Sequence, residues 1–87
     1  MIRVLFFASL KEAVGRSECR IPLLEDRGRA FGLDGLMAEL KERLGAGAYA
    51  ALVSENVRIA VNRELVEGAV DLRAGDEVAF LPPVTGG

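Results

Sequence analysis

The residues of this sequence whose types could support chemistry stand at its end, where Gly86 and Gly87 follow Pro82 and Pro83. Prolines stiffen the backbone and glycines leave it without side chains, so this segment suits passage through a narrow channel. The reactive group would then be the α-carboxylate of Gly87, which is ionised near pH 7. A carboxylate resists nucleophilic attack until it is activated, for example as an acyl-adenylate.

The composition excludes most other kinds of catalytic site. The 87 residues include no histidine and a single cysteine, Cys19. Histidine-based catalytic dyads and zinc sites, disulfide frameworks and all-cysteine clusters are therefore excluded. We therefore expect no metal site, and because no glycine-rich phosphate-binding loop with a lysine is present, we expect no cofactor bound by this chain. Activation of Gly87 would then fall to a partner enzyme, and Cys19 is expected to pack in the core.

Charge and hydropathy limit the expected surroundings of the protein. A net charge of −2 and a pI near 5.1 argue against a nucleic-acid partner. The longest uncharged stretch, residues 44–54, is too short to span a membrane, and no signal-peptide pattern opens the sequence. We therefore expect one domain in the cytoplasm, with no membrane partner.

The first half of the sequence predicts two strands and two helices. Residues 1–8 alternate as a strand, and the capping-box pattern of Ser9 and Glu12 predicts a short helix that ends at Gly15. Residues 17–24 alternate again, and Pro22 makes them an edge strand. After a charged loop over residues 25–32, apolar residues at helical spacing predict an amphipathic helix over residues 33–44, which Gly45 ends.

The second half predicts a short helical turn within residues 47–53 and then strands over residues 57–61, 64–66 and 77–81. Asn62 and Arg63 are typical of a two-residue hairpin turn, and Pro82 and Pro83 end the sheet. This order predicts an α+β fold of the β-grasp type, a roll with a mixed sheet of about five strands around one main helix. The expected organisation is one domain over residues 1–81 and a flexible tail over residues 82–87.

Four segments of the sequence, residues 1–8, 10–15, 60–62 and 72–87, resemble the small-subunit family of molybdopterin synthase, whose members are ubiquitin-like sulfur carriers. The most specific part is the ending Gly-Asp-Glu-Val-Ala-Phe-Leu-Pro-Pro-Val-Thr-Gly-Gly. The resemblance implies that an E1-like adenylyltransferase uses ATP and magnesium to adenylate the terminal glycine. A sulfur donor protein then supplies the sulfur of a thiocarboxylate. The large synthase subunit binds the tail, and the sulfur passes to cyclic pyranopterin monophosphate.

The resemblance assigns roles to two groups of residues. Gly87 would carry the acyl-adenylate and the thiocarboxylate, and Gly86 would keep the tail slim. The residues expected to contact partners are Phe7, Leu65, Leu81, Pro82, Pro83, Val84 and Thr85. Alternation places Phe7 opposite Ile2, Val4 and Phe6, and Leu81 opposite Val78 and Phe80, in two strands that are expected to be central and to turn the latter residues toward the core. We expect Phe7, Leu65 and Leu81 to form an apolar patch for the large subunit. The alternative is that the short helices or the tail cover them.

Three other functions are compatible with the same sequence. The chain could carry sulfur for thiamin thiazole or tRNA thiolation, or be a ubiquitin-like modifier that joins Gly87 to lysine. It could also be a β-grasp binding module without chemistry.

The sequence departs from the family in its long charged loop at residues 25–32 and in Arg63, where a smaller turn residue is expected. It also lacks a Ser or Thr opening the long helix, a position left to Gly32 or Asp34.

Overall fold

The computed structural model describes residues 1–22 and 31–82 and contains a five-stranded mixed sheet. In chain order the elements are β1 (Ile2–Phe6), α1 (Ala8–Val14), β2 (Glu18–Ile21), β3 (Phe31–Gly32), α2 (Leu33–Leu44), α3 (Ala46–Leu52), β4 (Arg58–Val61), β5 (Glu64–Val66), β6 (Asp71–Leu72) and β7 (Glu77–Leu81). The strand order is β2-β1-β7-β4-β5, with β1 and β7 parallel and every other pair antiparallel. This arrangement is the β-grasp roll that the sequence predicted.

One face of the sheet forms the core, as the alternation in the first and last strands predicted. Ile2, Val4 and Phe6 of β1 are buried, and so are Val78 and Phe80 of β7. The rings of Phe6 and Phe80, which are paired across the two strands, stack with centroids 5.9 Å apart. The central position of β7 and the edge position of β2 are also confirmed.

The long helix α2 covers this core face and has the predicted bounds. Its buried side chains are Leu33, Leu36 and Leu40, which form one cluster with the core residues of the sheet. Gly32 is the N-cap residue, and no side chain caps the start of the helix. The backbone N–H of Leu33 donates instead to the Val70 carbonyl at 2.8 Å. Gly45 ends the helix with a positive φ of 87°.

The capping-box prediction for α1 is wrong. The N-cap residue is Phe7, with no side-chain cap, and Ser9 lies inside the helix. The first turn starts at Phe7 because its carbonyl accepts the Leu10 N–H at 3.0 Å, while its own N–H donates to the Phe80 carbonyl at 3.2 Å. The chain therefore turns at Ala8, whose φ is 49°, before Ser9 can serve as the cap. The predicted end of the helix, at Gly15 in the left-handed conformation, is confirmed.

The small second sheet, in which β3 pairs with β6, was not predicted. The short helical turn predicted within residues 47–53 is confirmed as α3. Residues 23–30, which hold the end of the strand predicted for residues 17–24 and most of the predicted loop, lie outside the described residues, as do residues 83–87. Within the described ranges, no helix has both the length and the apolar character needed to cross a membrane.

Candidate functional site

The strand that leads into the C-terminal segment is the central strand of the sheet. β7 pairs with β1 on one side and with β4 on the other, and its last paired residue, Leu81, lies opposite Arg58. Pro82 follows directly. Hydrogen bonding on both sides holds this strand firmly at the point where the C-terminal segment begins. The predictions for Pro83, Val84, Thr85, Gly86 and Gly87 concern residues outside the described part of the chain.

The open face of the sheet brings together the three apolar residues expected to contact a partner. Phe7, Leu65 and Leu81 line one shallow groove on the side of the sheet away from α2. Phe7 is 43% exposed and Leu65 is 58% exposed, although large apolar side chains are usually buried. The alternative, in which the short helices cover these residues, does not hold for the side chains of Phe7 and Leu65.

The floor of the groove consists of two alanines that sequence reasoning did not single out. Ala60 of β4 and Ala79 of β7 are paired in register, and they are only 6% and 8% exposed. The same row continues to Leu5 on β1 and to Leu65 on β5. Two methyl groups between two leucines leave a depression across the sheet. The alternation of β7 placed Ala79 with Leu81, but the register that sets it against Ala60 is a tertiary property.

Ion pairs border the groove at one end. The Arg3 guanidinium lies between two carboxylates, with Nε 3.2 Å from Glu18 Oε2 and Nη1 3.6 Å from Glu77 Oε1. The hydrogen bond from Arg3 to Glu18 holds the pKa of the Glu18 carboxyl below its ordinary value. Arg20 also contacts Glu18, at 3.5 Å. Both glutamates are therefore already paired with arginines of the same face.

A network of side-chain hydrogen bonds fixes the β4–β5 turn against the start of β7. Asn62 Nδ2 donates to Asp76 Oδ1 at 3.0 Å, and Asn62 Oδ1 accepts from the Glu77 N–H at 3.1 Å. Asp76 Oδ2 in turn accepts from the Arg73 N–H at 2.7 Å. Asn62 and Arg63 both have positive φ, of 51° and 70°, which confirms the predicted two-residue turn. The network thereby joins the turn to the strand that leads into the C-terminal segment.

Nothing in the described residues resembles a self-contained catalytic centre. Cys19 is half-buried and packs against the core, and burial raises the pKa of its thiol, which makes it a poor nucleophile. No group of three or more metal-ligating side chains occurs in residues 1–22 and 31–82. The face offers shape, apolar surface and charge, which are properties of a binding surface.

Known proteins with similar sequences share one description. The sequence model of the ThiS family matches residues 4–87. The chain is 40% identical to the molybdopterin synthase sulfur carrier subunit of Escherichia coli (strain K12), over 87 residues that cover all of both proteins. It is 33% identical to the protein of the same name from Haemophilus influenzae, again over the full length of both.

Solved structures with the same fold include two informative cases. A chain in the protein–protein complex of subunits 1 and 2 of molybdopterin-converting factor from Helicobacter pylori 26695 is 26% identical, with a TM-score of 0.65, and the match covers 99% of this chain and 97% of that one. SAMP1 from Haloferax volcanii has a TM-score of 0.74 at 22% identity, over 99% of this chain and 98% of that one, and shows the shared ubiquitin-like β-grasp fold alone. The match over residues 4–87 and the full-length relatives show that this chain belongs to the ThiS family.

Proposed function

We propose that this chain is the sulfur carrier subunit of a molybdopterin synthase. The observation that carries the proposal is the full-length similarity, at 40% identity, to a protein of that name. The open face of the sheet supports it, because Phe7, Leu65 and Leu81 form one exposed apolar groove beside the exit of the central strand. A carrier needs such an arrangement, in which a partner holds the folded domain while it reaches the tail.

In this proposal the chemistry takes place on the Gly87 carboxylate. An E1-like adenylyltransferase converts the carboxylate to an acyl-adenylate with ATP and magnesium, and pyrophosphate leaves. A sulfur donor protein then supplies the sulfur that displaces AMP from the acyl carbon, which leaves a thiocarboxylate. The chain itself binds no nucleotide in this scheme. Its contribution is to present Gly87 on a narrow segment, with Gly86 adding no side chain.

The second partner in the proposal is the large subunit of the synthase. A complex of two subunits is what the Helicobacter pylori structure contains. The large subunit would contact the open face through Phe7, Leu65 and Leu81 and accept the segment over residues 82–87. The sulfur would then pass to cyclic pyranopterin monophosphate, which the large subunit holds.

The test is a reconstitution with mass spectrometry as the readout. The chain is incubated with the adenylyltransferase, ATP, magnesium and a sulfur source, and its intact mass is measured. We expect exchange of one oxygen for sulfur, and the product should then yield molybdopterin when mixed with the large subunit and cyclic pyranopterin monophosphate. A thiocarboxylate that the large subunit does not consume would indicate a carrier for another pathway. Products of higher mass, joined to lysines, would indicate a modifier, and an unchanged mass would indicate a binding module.

A further inference from the structure

Two arginines, Arg58 and Arg63, lie on the β4–β5 side of the groove on the open face, and neither forms a close ion pair with a described carboxylate. Arg58 lies opposite Leu81 in the register of β4 and β7, and Arg63 lines the groove next to Leu65. The Arg63 side chain is 89% exposed. Its single ion pair among the described residues is long, with 4.0 Å between Arg63 Nε and Glu77 Oε2. No described carboxylate lies within 4.0 Å of the Arg58 guanidinium, although Glu67 follows β5 close by in sequence.

The two paired glutamates of this face are shared among several arginines. Glu18 and Glu77 contact Arg3 at 3.2 and 3.6 Å, and Glu18 also contacts Arg20. Glu77 thus lies between Arg3 and Arg63, and Glu18 lies between Arg3 and Arg20. Four arginines of this face, Arg3, Arg20, Arg58 and Arg63, therefore outnumber the two paired glutamates, Glu18 and Glu77, in a chain whose formal net charge is −2. Random distribution of charge over an acidic protein would favour the opposite sign.

Arg63 also occupies a position that would suit a glycine better. It is the second residue of a turn in which both central residues have positive φ, and Asn-Gly is the preferred pair there. An arginine at a φ of 70° strains the backbone. Within the free chain, one ion pair of 4.0 Å at an almost fully exposed side chain stabilises the fold too little to offset that strain. The contacts of the free chain therefore give no structural reason for an arginine at this position.

We propose that Arg58 and Arg63 select the partner that docks on this groove by pairing with carboxylates of the partner surface. The partner surface has a defined chemistry: an apolar side chain over Ala60 and Ala79, with acidic residues on the side that faces β4 and β5. Complementary charge of this kind accelerates association and rejects surfaces with cationic residues at the same place. This inference rests on the proposed function, because it takes the large synthase subunit as the partner.

The test measures association kinetics between this chain and the large synthase subunit of the same organism, at low and at high ionic strength. The variant is the double change Arg58→Gln and Arg63→Gln, which removes both charges and retains polar side chains of similar reach. We expect association to slow by about fivefold to tenfold at low salt, and its dependence on salt to weaken. The matched control is the double change Arg16→Gln and Arg43→Gln, which alters net charge equally at residues that lie outside both the groove and the strands β4 and β5.

The outcomes separate the inference from the proposed function. Slower association with the groove variant alone supports the inference. Equal slowing with both double variants would mean that net charge steers the encounter without these two arginines, and unchanged association of the groove variant would overturn the inference directly. In both of those cases the parent still binds and delivers sulfur, so the proposed function stands. A parent chain that does not bind the large subunit would overturn the proposed function, and the inference with it.

Discussion

Ala60 and Ala79 face each other across β4 and β7 on the open side of the sheet, and both are almost completely buried. Neither belongs to the main core cluster on the opposite face. Their burial comes from larger neighbours in the same row, Leu5 on one side and Leu65 on the other. The pair therefore forms the floor of the groove, and its two methyl side chains leave the groove open.

Filling the groove should block the partner without unfolding the chain. Ala79→Leu adds a branched side chain where the groove is open, so we expect partner affinity to fall by at least about tenfold, which corresponds to about 1.4 kcal/mol. The free energy of unfolding should fall by no more than about 1–2 kcal/mol, because the added atoms project into solvent as well as against Leu5. Ala13→Leu, the same change at an exposed position of α1, is the control. Unaltered affinity for Ala79→Leu would place the contact elsewhere.

A charge at the exposed leucine should separate binding from folding. Leu65→Asp places a carboxylate at a position whose side chain is 58% exposed. The free energy of unfolding should therefore change by only about 0.5 kcal/mol. In the complex the same carboxylate would be desolvated, and we expect a loss of about 2 kcal/mol or more in binding. Val53→Asp is a matched control, because Val53 is 51% exposed and does not line the groove. Titration against the large subunit decides, and a comparable loss for Val53→Asp would argue against a specific face.

Changes at the last two residues should affect the chemistry and leave the fold intact. Deletion of Gly87 removes the proposed reacting carboxylate, and we expect no thiocarboxylate in the intact mass. Gly86→Val keeps the carboxylate but adds a β-branched side chain, so adenylation or sulfur delivery should slow. Melting temperature should hardly move, since the last strand pairing described is that of Leu81 with Arg58. Sulfur delivery by the Gly87 deletion would contradict the carrier proposal.

Arg63 should show opposite effects on stability and on binding. Arg63→Gly removes the strain of a side chain at the positive φ of the second turn residue. We expect the free energy of unfolding to rise by about 0.5–1 kcal/mol, a value that already subtracts the greater freedom of glycine in the unfolded chain. Association with the partner should nevertheless slow, because the charge is lost. Arg63→Gln is the control that loses the charge and keeps the strain. Denaturant unfolding and association kinetics of both variants give the comparison, and a less stable Arg63→Gly would contradict the strain argument.

The ion pairs of Glu18 should make the fold sensitive to acid. Because the pKa of Glu18 is lowered by Arg3, the carboxylate stabilises the folded state above the ordinary pKa of about 4.5, and this contribution is lost as pH falls through the lowered pKa. Glu18→Gln should therefore be less stable than the parent near neutral pH, and the difference should shrink in acid. Denaturant unfolding from about pH 6 to about pH 3 measures it. Glu12→Gln, on the exposed side of α1, is the control, and a difference that does not depend on pH would contradict the assignment.

The local structure of this protein follows closely from its sequence. Alternation in β1 and β7, the helical spacing over residues 33–44 and the Asn62-Arg63 turn each predicted the element that is observed. Such patterns are reliable because the period of a strand or a helix decides which side chains can share a face. The same alternation placed Phe7 and Leu81 opposite the core, and their position on the open face follows from it.

The open face of the sheet, on which we propose that the partner docks, is a product of the tertiary structure. The parallel pairing of β1 with β7 joins the two ends of the chain, and the register of β4 with β7 sets Ala60 against Ala79. These contacts connect residues far apart in sequence, and no local pattern encodes them. The Ser9 capping signal was overridden because Phe7 pairs with Phe80 and its carbonyl accepts the Leu10 N–H, so that the helix begins before Ser9. Periodicity along the chain therefore determined which side chains face outward, whereas long-range strand pairing decided which of them meet to form the groove and its charged border.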